Sequence, residues 1–269
     1  MNGPTPDARR ASNAHADLTR RIREYWNARI HDLEMTEHEV GTLAFFDDLD
    51  EYRFDKLRYL PRLVDFSGFT GRTVLEVGCG IGTDLVRFAR GGARAIGVDF
   101  SEIAITLANR NLILHDVSGA GHVLLADGEQ LPFADGSVDV VYAHGVLQYA
   151  ADPPQLISET RRVLRRGGEA IFMVYNRRSW LMALSVVMHV PLEHEDAPGL
   201  RFYTIGEFRR LLAGFSQVRI QPERFPVRSR LHHGWKAAVY NGLFVGAFNA
   251  LPRRLVRPLG WHLMASCHM

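Results

Sequence analysis

The sequence predicts an α/β fold, on three observations. Short apolar runs that read as strands alternate with amphipathic stretches that read as helices, from Val74 to Gln221. The first such strand, Val74-Leu75-Glu76-Val77, passes through Gly78-Cys79-Gly80-Ile81-Gly82 into a helical stretch, Thr83–Arg90. A second strand, Ala95–Val98, then ends on Asp99, 21 positions beyond Gly78. A strand, a glycine turn and a helix start make a cradle for a nucleotide. Backbone without Cβ atoms lets a ligand come close, and the helix start offers free N–H groups. A carboxylate about 20 residues further on is placed to accept from both hydroxyls of a ribose.

The chain has 269 residues with ordinary apolar and charged fractions, which suits one large domain with additions. Cys79 and Cys267 are too few for a disulfide framework or a cysteine-based zinc site. Cys79 sits inside the glycine turn, where a small residue packs. Residues 1–16 are polar and carry Arg9-Arg10 without an apolar run behind them, which reads as a flexible amino terminus of a cytoplasmic protein. Leu18, Ile22, Trp26 and Ile30 recur four apart, so a helical cap is expected over 17–66. Its second helix is expected over Glu51–Phe66, burying Tyr52, Leu57, Leu60 and Leu63.

Beyond Asp99, a helix is expected over Ile103–Leu114, a third strand over His122–Leu125 and a fourth over Val138–Tyr142. A helix from Pro153 to Arg166 ends at Gly167-Gly168 and leads into the fifth strand, Ala170–Tyr175. Trp180–Val190 reads as an apolar helix. Thr204 with Glu207 forms a capping pair for Thr204–Ala213, and Phe215–Gln221 is the sixth strand. Asp99 either caps the helix near Ser101 or faces a ribose. Asp127 either closes a turn with Gly128 or faces a ligand. Ligands of open α/β sheets bind beyond the carboxyl ends of the strands, which places His144 on the ligand side. A neutral imidazole there takes a proton from an acceptor or only shapes the loop. Glu193-His194-Glu195-Asp196 suggests a metal site only superficially, because consecutive residues cannot all face one ion. It reads as a solvated loop, with His194 at most supporting the acceptor site.

The third glycine comes one residue earlier than in the dinucleotide fingerprint, which disfavours a nicotinamide oxidoreductase. Val74–Gly82, Gly97–Ser101, Leu125–Phe133, Ser137–Tyr142 and Arg162–Gly168, in that order, resemble the class I S-adenosylmethionine-dependent methyltransferases. The resemblance covers residues 70 to 176. It implies a seven-stranded, mostly parallel Rossmann-like sheet with helices on both faces, an N-terminal helical extension, and a C-terminal helical insertion before an antiparallel last strand at Gly260–Cys267. It implies S-adenosylmethionine as methyl donor, held by Glu76, Gly78, Gly80, Asp99, Phe100, Asp127, Gly128 and Ala143. Asp99 would take the ribose and Asp127 the adenine amine. His144 becomes the candidate proton acceptor, although in-line transfer from a sulfonium needs no obligatory base. Tyr25 or Trp26 would shelter the sulfonium with an aromatic face, or simply pack on the core. The methyltransferase domain then runs over 67–269. An adenosyl-ligand-binding protein without turnover and an RNA or protein methyltransferase are the alternatives.

The insertion, 222–258, departs most from the pattern. Trp235–Leu251 is nearly all apolar and is followed by Arg253, Arg254 and Arg257. From Arg201 onward there are 11 Lys or Arg against two acids. Such a segment suits a lid or homodimer contact, or peripheral contact with an anionic membrane. It is shorter than the roughly 20 residues that span a bilayer. The overall charge is +2 and no aromatic–basic RNA-binding signature appears, so a small-molecule, apolar or lipid-like acceptor is expected rather than nucleic acid.

Overall fold

The computed structural model describes residues 6–189, 191–226 and 240–269. Seven strands form one sheet: β1 (Thr73–Val77), β2 (Arg94–Asp99), β3 (Gly121–Leu125), β4 (Val138–His144), β5 (Leu164–Tyr175), β6 (Ser216–Glu223) and β7 (His262–His268). Their order is β3-β2-β1-β4-β5-β7-β6, with β7 antiparallel to both of its neighbours and the other pairings parallel. The chain leaves β1 in one direction, through β2 and β3, and returns to the other side of β1 through β4. That reversal opens a crevice beyond the carboxyl ends of β1 and β4. β1 and β4 are buried on both faces because helices cover both.

The helices are α1 (Pro6–Asn27), α2 (Leu43–Lys56), α3 (Leu60–Leu63), α4 (Thr83–Arg90), α5 (Glu102–Leu114), α6 (Pro153–Val163), α7 (Trp180–Met188) and α8 (Ile205–Leu211). α8 carries the expected capping box of Thr204 and Glu207. α5 is capped by Ser101, whose hydroxyl accepts from Ala104 N, so Asp99 is not the cap.

Three expectations change. α1 begins at Pro6, so residues 6–16 are helical rather than a flexible lead, and it stops at Asn27. Ile30 lies past its end and packs with Phe45, Phe46 and Leu49. The helix expected over Glu51–Phe66 is broken into α2 and α3, since Pro61 has no N–H to continue the ladder. The break turns Tyr59 inward, where it is 3% exposed. The helix expected to reach Arg166 stops at Val163, and β5 starts at Leu164 with a register irregularity against β4 that absorbs the glycine pair.

In the insertion, Trp235–Val239 lies outside the described residues. Beyond it a π-turn over Tyr240–Phe244 runs into a helix, Val245–Ala250, that ends ahead of Pro252. Phe248 and Val256 pack on Trp180 of α7. Among the described residues, no helix is long and apolar enough to cross a membrane.

Candidate active site

A cavity lies beyond the carboxyl ends of β1, β2 and β4 and extends under α1. Its floor is the glycine turn. Gly78 has φ +68°, and a Cβ there would run into Val146 Cγ2. Gly80 has φ +52°, and a Cβ there would stand in open space. The two glycines serve different ends: one allows the chain to pass Val146, the other leaves room for a ligand. Asp99 holds the turn in place, its carboxylate accepting from Gly80 N at 3.0 Å and Ser101 N at 2.9 Å. Burial nevertheless raises its pKa. Asp127 accepts from Glu129 N at 2.9 Å, closing the turn beside the cavity.

Glu76, Gly78, Gly80, Asp99, Phe100, Asp127, Gly128 and His144 all line the cavity. Ala143 does not. Successive side chains of a strand point to opposite faces, so Tyr142 and His144 share one face while Ala143 packs on the other with Leu75 and Phe172. Gly145 and Val146 meet the cavity in its place. Gly128 is also tightly packed, since a Cβ there would collide with Val77 Cγ1 at 2.7 Å.

Glu76 is buried, and its Oε2 has no hydrogen-bond partner. Burial, and then the charge of Asp84, pushes its pKa well above the usual carboxylate range. An unpartnered carboxyl oxygen in a cavity wall is a costly arrangement that a cationic or N–H donor would relieve. Cys79 is buried with its thiol pKa pushed well up by burial, consistent with packing rather than chemistry.

The opposite wall is built from side chains far apart in sequence. Arg53 of α2 grips Asp84 with two hydrogen bonds, at 2.8 and 2.5 Å, and Tyr142 Oη donates to the same carboxylate at 2.7 Å. Arg53 also stands 3.4 Å from His144 Nδ1. Tyr59 Oη lies 3.1 Å from His144 Nε2 and 2.6 Å from His262 Nδ1. Arg224 reaches His262 Nε2 at 3.2 Å and pairs with Glu193, which also pairs with Lys56 at 2.7 Å. Burial, with Arg53 beside it, pulls the His144 pKa down to about 3, and His262 also falls well below the usual value. Both rings are therefore neutral at pH 7. Burial works against the Glu193 carboxylate, but Arg224 and Lys56 outweigh it and hold it well below the ordinary range.

The loop at 191–200 is thus a latch rather than a solvated turn. Tyr25 Oη donates to Asp196 at 2.7 Å and lies 3.2 Å from His194, while Arg29 pairs with Asp196 at 3.1 Å. These bonds tie α1 down over the cavity. Arg29 already covers the Tyr25 ring at 3.9 Å, so of the two neighbours it is Trp26 that lines the cavity. Of the described part of the insertion, Arg224 reaches the cavity, and the segment from Tyr240 packs on α7 instead.

Residues 75–172 match the family model described as a methyltransferase domain. That segment holds a methyltransferase domain, in a sheet of the class I S-adenosylmethionine-dependent type. The chain is 32% identical over 119 residues to a ubiquinone biosynthesis O-methyltransferase of Sodalis glossinidius, covering 44% of this chain and 47% of that protein. It is 28% identical over 183 residues to its counterpart in Alkalilimnicola ehrlichii, covering 62% and 67%. The matched segments span 29%, 46% and 47% of the first three curated relatives. Among solved structures it resembles the geranyl diphosphate C-methyltransferase of Streptomyces coelicolor A3(2), described in complex with Mg2+, geranyl diphosphate and S-adenosyl-L-homocysteine. The TM-score is 0.60 at 18% identity, covering 99% of each chain, which is a likeness of fold.

The cavity fits the chemistry of S-adenosylmethionine. Asp99 and Asp127 retain acceptor capacity for hydroxyl and amine donors, the unpartnered Glu76 Oε2 suits an ammonium group, and the space beside Gly80 admits a ligand. Sequence reasoning missed Arg53, Tyr59, Asp84, Arg224 and His262. Asp84 had a local signal, an acid in the first turn of the helix behind the glycine turn. The others had none.

Proposed function

We propose that this chain transfers a methyl group from S-adenosylmethionine to a small neutral acceptor held between the aromatic groups under α1 and the His144–His262 wall. The observation that carries this reading is one continuous cavity joining the glycine turn to that wall. Around the acceptor the charges pair off: Arg53 with Asp84, Arg224 with Glu193, Lys56 with Asp32 and Glu193. The wall therefore offers hydrogen bonds rather than a net charge. Trp26, Tyr149 and Tyr175 face the same space and favour an acceptor with an apolar or ring-shaped body.

The bound donor supplies an electrophilic methyl group on a sulfonium. Asp99, Asp127 and Glu76 orient its polar groups, and α1 with the 191–200 loop shields the site from water. His144 and His262 shape the acceptor end of the cavity, their ring nitrogens held by Arg53, Tyr59 and Arg224. With a pKa of about 3, His144 is a weak base, so most of the acceleration falls to proximity and alignment. Incubating the purified chain with isotopically labelled donor and cell extract, then identifying labelled products by mass spectrometry, tests the reading. A labelled small molecule with stoichiometric S-adenosylhomocysteine supports it. Donor binding without S-adenosylhomocysteine under any extract would make the chain a binding protein of the same fold.

A further inference from the structure

The contacts behind the acceptor pocket form an array with a hydrogen-bond mismatch that cannot be removed without leaving a buried hydroxyl unpaired. Arg53 faces His144, His144 faces Tyr59, Tyr59 faces His262, and His262 faces Arg224. A guanidinium only donates, and a neutral imidazole has one N–H and one lone pair. His144, Tyr59 and His262 therefore bring three hydrogens to two gaps. If both rings pointed their N–H at Tyr59, its own hydroxyl hydrogen would be buried without an acceptor, which costs about 1–3 kcal/mol. Two arrangements avoid this. In one, His144 Nδ1 accepts from Arg53, Nε2–H donates to Tyr59, Tyr59 donates to His262 Nδ1, and His262 Nε2–H confronts Arg224. In the other every hydrogen is shifted, so that Arg224 donates to His262 and it is His144 Nδ1–H that confronts Arg53.

The geometry favours the second arrangement, because Arg224 lies 3.2 Å from His262 whereas Arg53 stands off His144 at 3.4 Å. Arg224 is also anchored through its backbone. Its backbone adopts φ +56°, uncommon for a residue with a side chain. Its carbonyl accepts from both Trp180 Nε1 at 2.8 Å and Trp261 N at 3.3 Å, and its guanidinium is held by Glu193.

We propose that Tyr59 is a positioning residue that joins His144 and His262 into one proton-sharing unit, so that Arg224 decides which nitrogen of His144 carries the hydrogen. At rest His144 carries it on Nδ1. Drawing Arg224 away from His262 moves all three hydrogens and turns the His144 Nδ1 lone pair toward Arg53. Glu193, which holds Arg224, belongs to the same loop as Asp196, the residue latched to α1, so the seating of the lid and the state of His144 are connected. The proposal deepens the reading of His144 at the acceptor site, but its test needs no acceptor.

The test is ring-nitrogen NMR on 15N-histidine-labelled full-length protein, with His144 and His262 assigned by substitution. Wild type is expected to show His144 protonated on Nδ1. Tyr59→Phe removes one hydroxyl and leaves Arg53 as the side chain facing His144, so the two His144 nitrogen resonances are expected to exchange places. Arg224→Met is expected to produce the same exchange in the Tyr59 background and no further change in Tyr59→Phe. If Arg224→Met does not fold, Tyr59→Phe decides alone. His144 found on Nε2–H in wild type, or keeping its tautomer in Tyr59→Phe, overturns the proposal. Calorimetric S-adenosylmethionine binding by the wild type is measured separately, and its absence counts against the methyltransferase reading without touching the array.

Discussion

On one side of the cavity the ligand-facing groups come from consecutive strand ends, between Glu76 and Gly128, and Asp99 and Asp127 are held by backbone N–H groups of the turns. On the other side Tyr59 meets His262 across 203 positions of sequence, and Tyr25 meets Asp196 across 171. The first side is backbone geometry with a few acids. The second is a web of buried side chains whose partners depend on the whole fold being in place. In the proposed reading the donor is gripped by a local device of strand ends, whereas the acceptor meets a wall assembled from distant parts of the chain. Substitutions should therefore behave differently on the two sides.

The largest effect is expected at the acceptor wall. Arg53→Met leaves Asp84 charged and buried with Tyr142 as its remaining partner, and is expected to cost about 3–5 kcal/mol of stability in a denaturant titration. A loss under 1 kcal/mol would show that the wall tolerates an unpaired charge and would blur the contrast.

Next comes the donor side. Asp99→Ala removes a charged hydrogen-bonding group worth about 1.5–3 kcal/mol, so S-adenosylmethionine affinity measured by calorimetry should fall roughly 10- to 100-fold. Unchanged affinity would remove Asp99 from the ribose.

His144→Asn sharpens the boundary between the sides. Donor affinity should stay within about twofold, since the donor is gripped elsewhere, while turnover drops. The same variant carries a pH signature. The folded-state pKa is about 3, below the ordinary 6.5, so between these values the unfolded chain binds a proton that the folded chain does not. That contribution to stability is complete above pH 6.5 and is lost as pH falls toward 3. Wild type should lose thermal stability relative to His144→Asn on acidification across that window. Parallel curves would mean that His144 is not held neutral by burial.

The smallest effect is expected at the latch. Tyr25→Phe gives up its hydrogen bond to Asp196, worth about 1 kcal/mol, and should speed hydrogen exchange in α1 while leaving that of β1 and β4 unchanged.

Much of the sheet was legible because strand ends, glycines and caps act over a few residues. The glycine turn, Asp99, Asp127 and the Thr204–Glu207 box are all local devices. Where the reading slipped, a local clue was present but outweighed. Leu60-Pro61 marked the break between α2 and α3, yet the apolar spacing ran straight across it. Alternation along β4 already separates Ala143 from His144, whereas the motif treats them as neighbours. Arg165-Arg166-Gly167-Gly168 reads as a helix end, although pairing with β4 makes it the irregular start of β5. The acceptor wall was beyond any such reading. Nothing near Tyr59, Arg224 or His262 reports the others, and Glu193 sits in a run of charges that reads as solvated until Arg224 and Lys56 are seen beside it.

The position of β7 carries a consequence for how the molecule is made. It lies between β5 and β6 although its residues emerge from the ribosome after both, and it brings His262 with it. A nascent chain can thus finish the nucleotide cradle while β5 still presents a bare edge and β6 waits without a neighbour. The gap closes only when β7 slides in, so the wall that holds His262 is born with the last hydrogen bonds of the sheet.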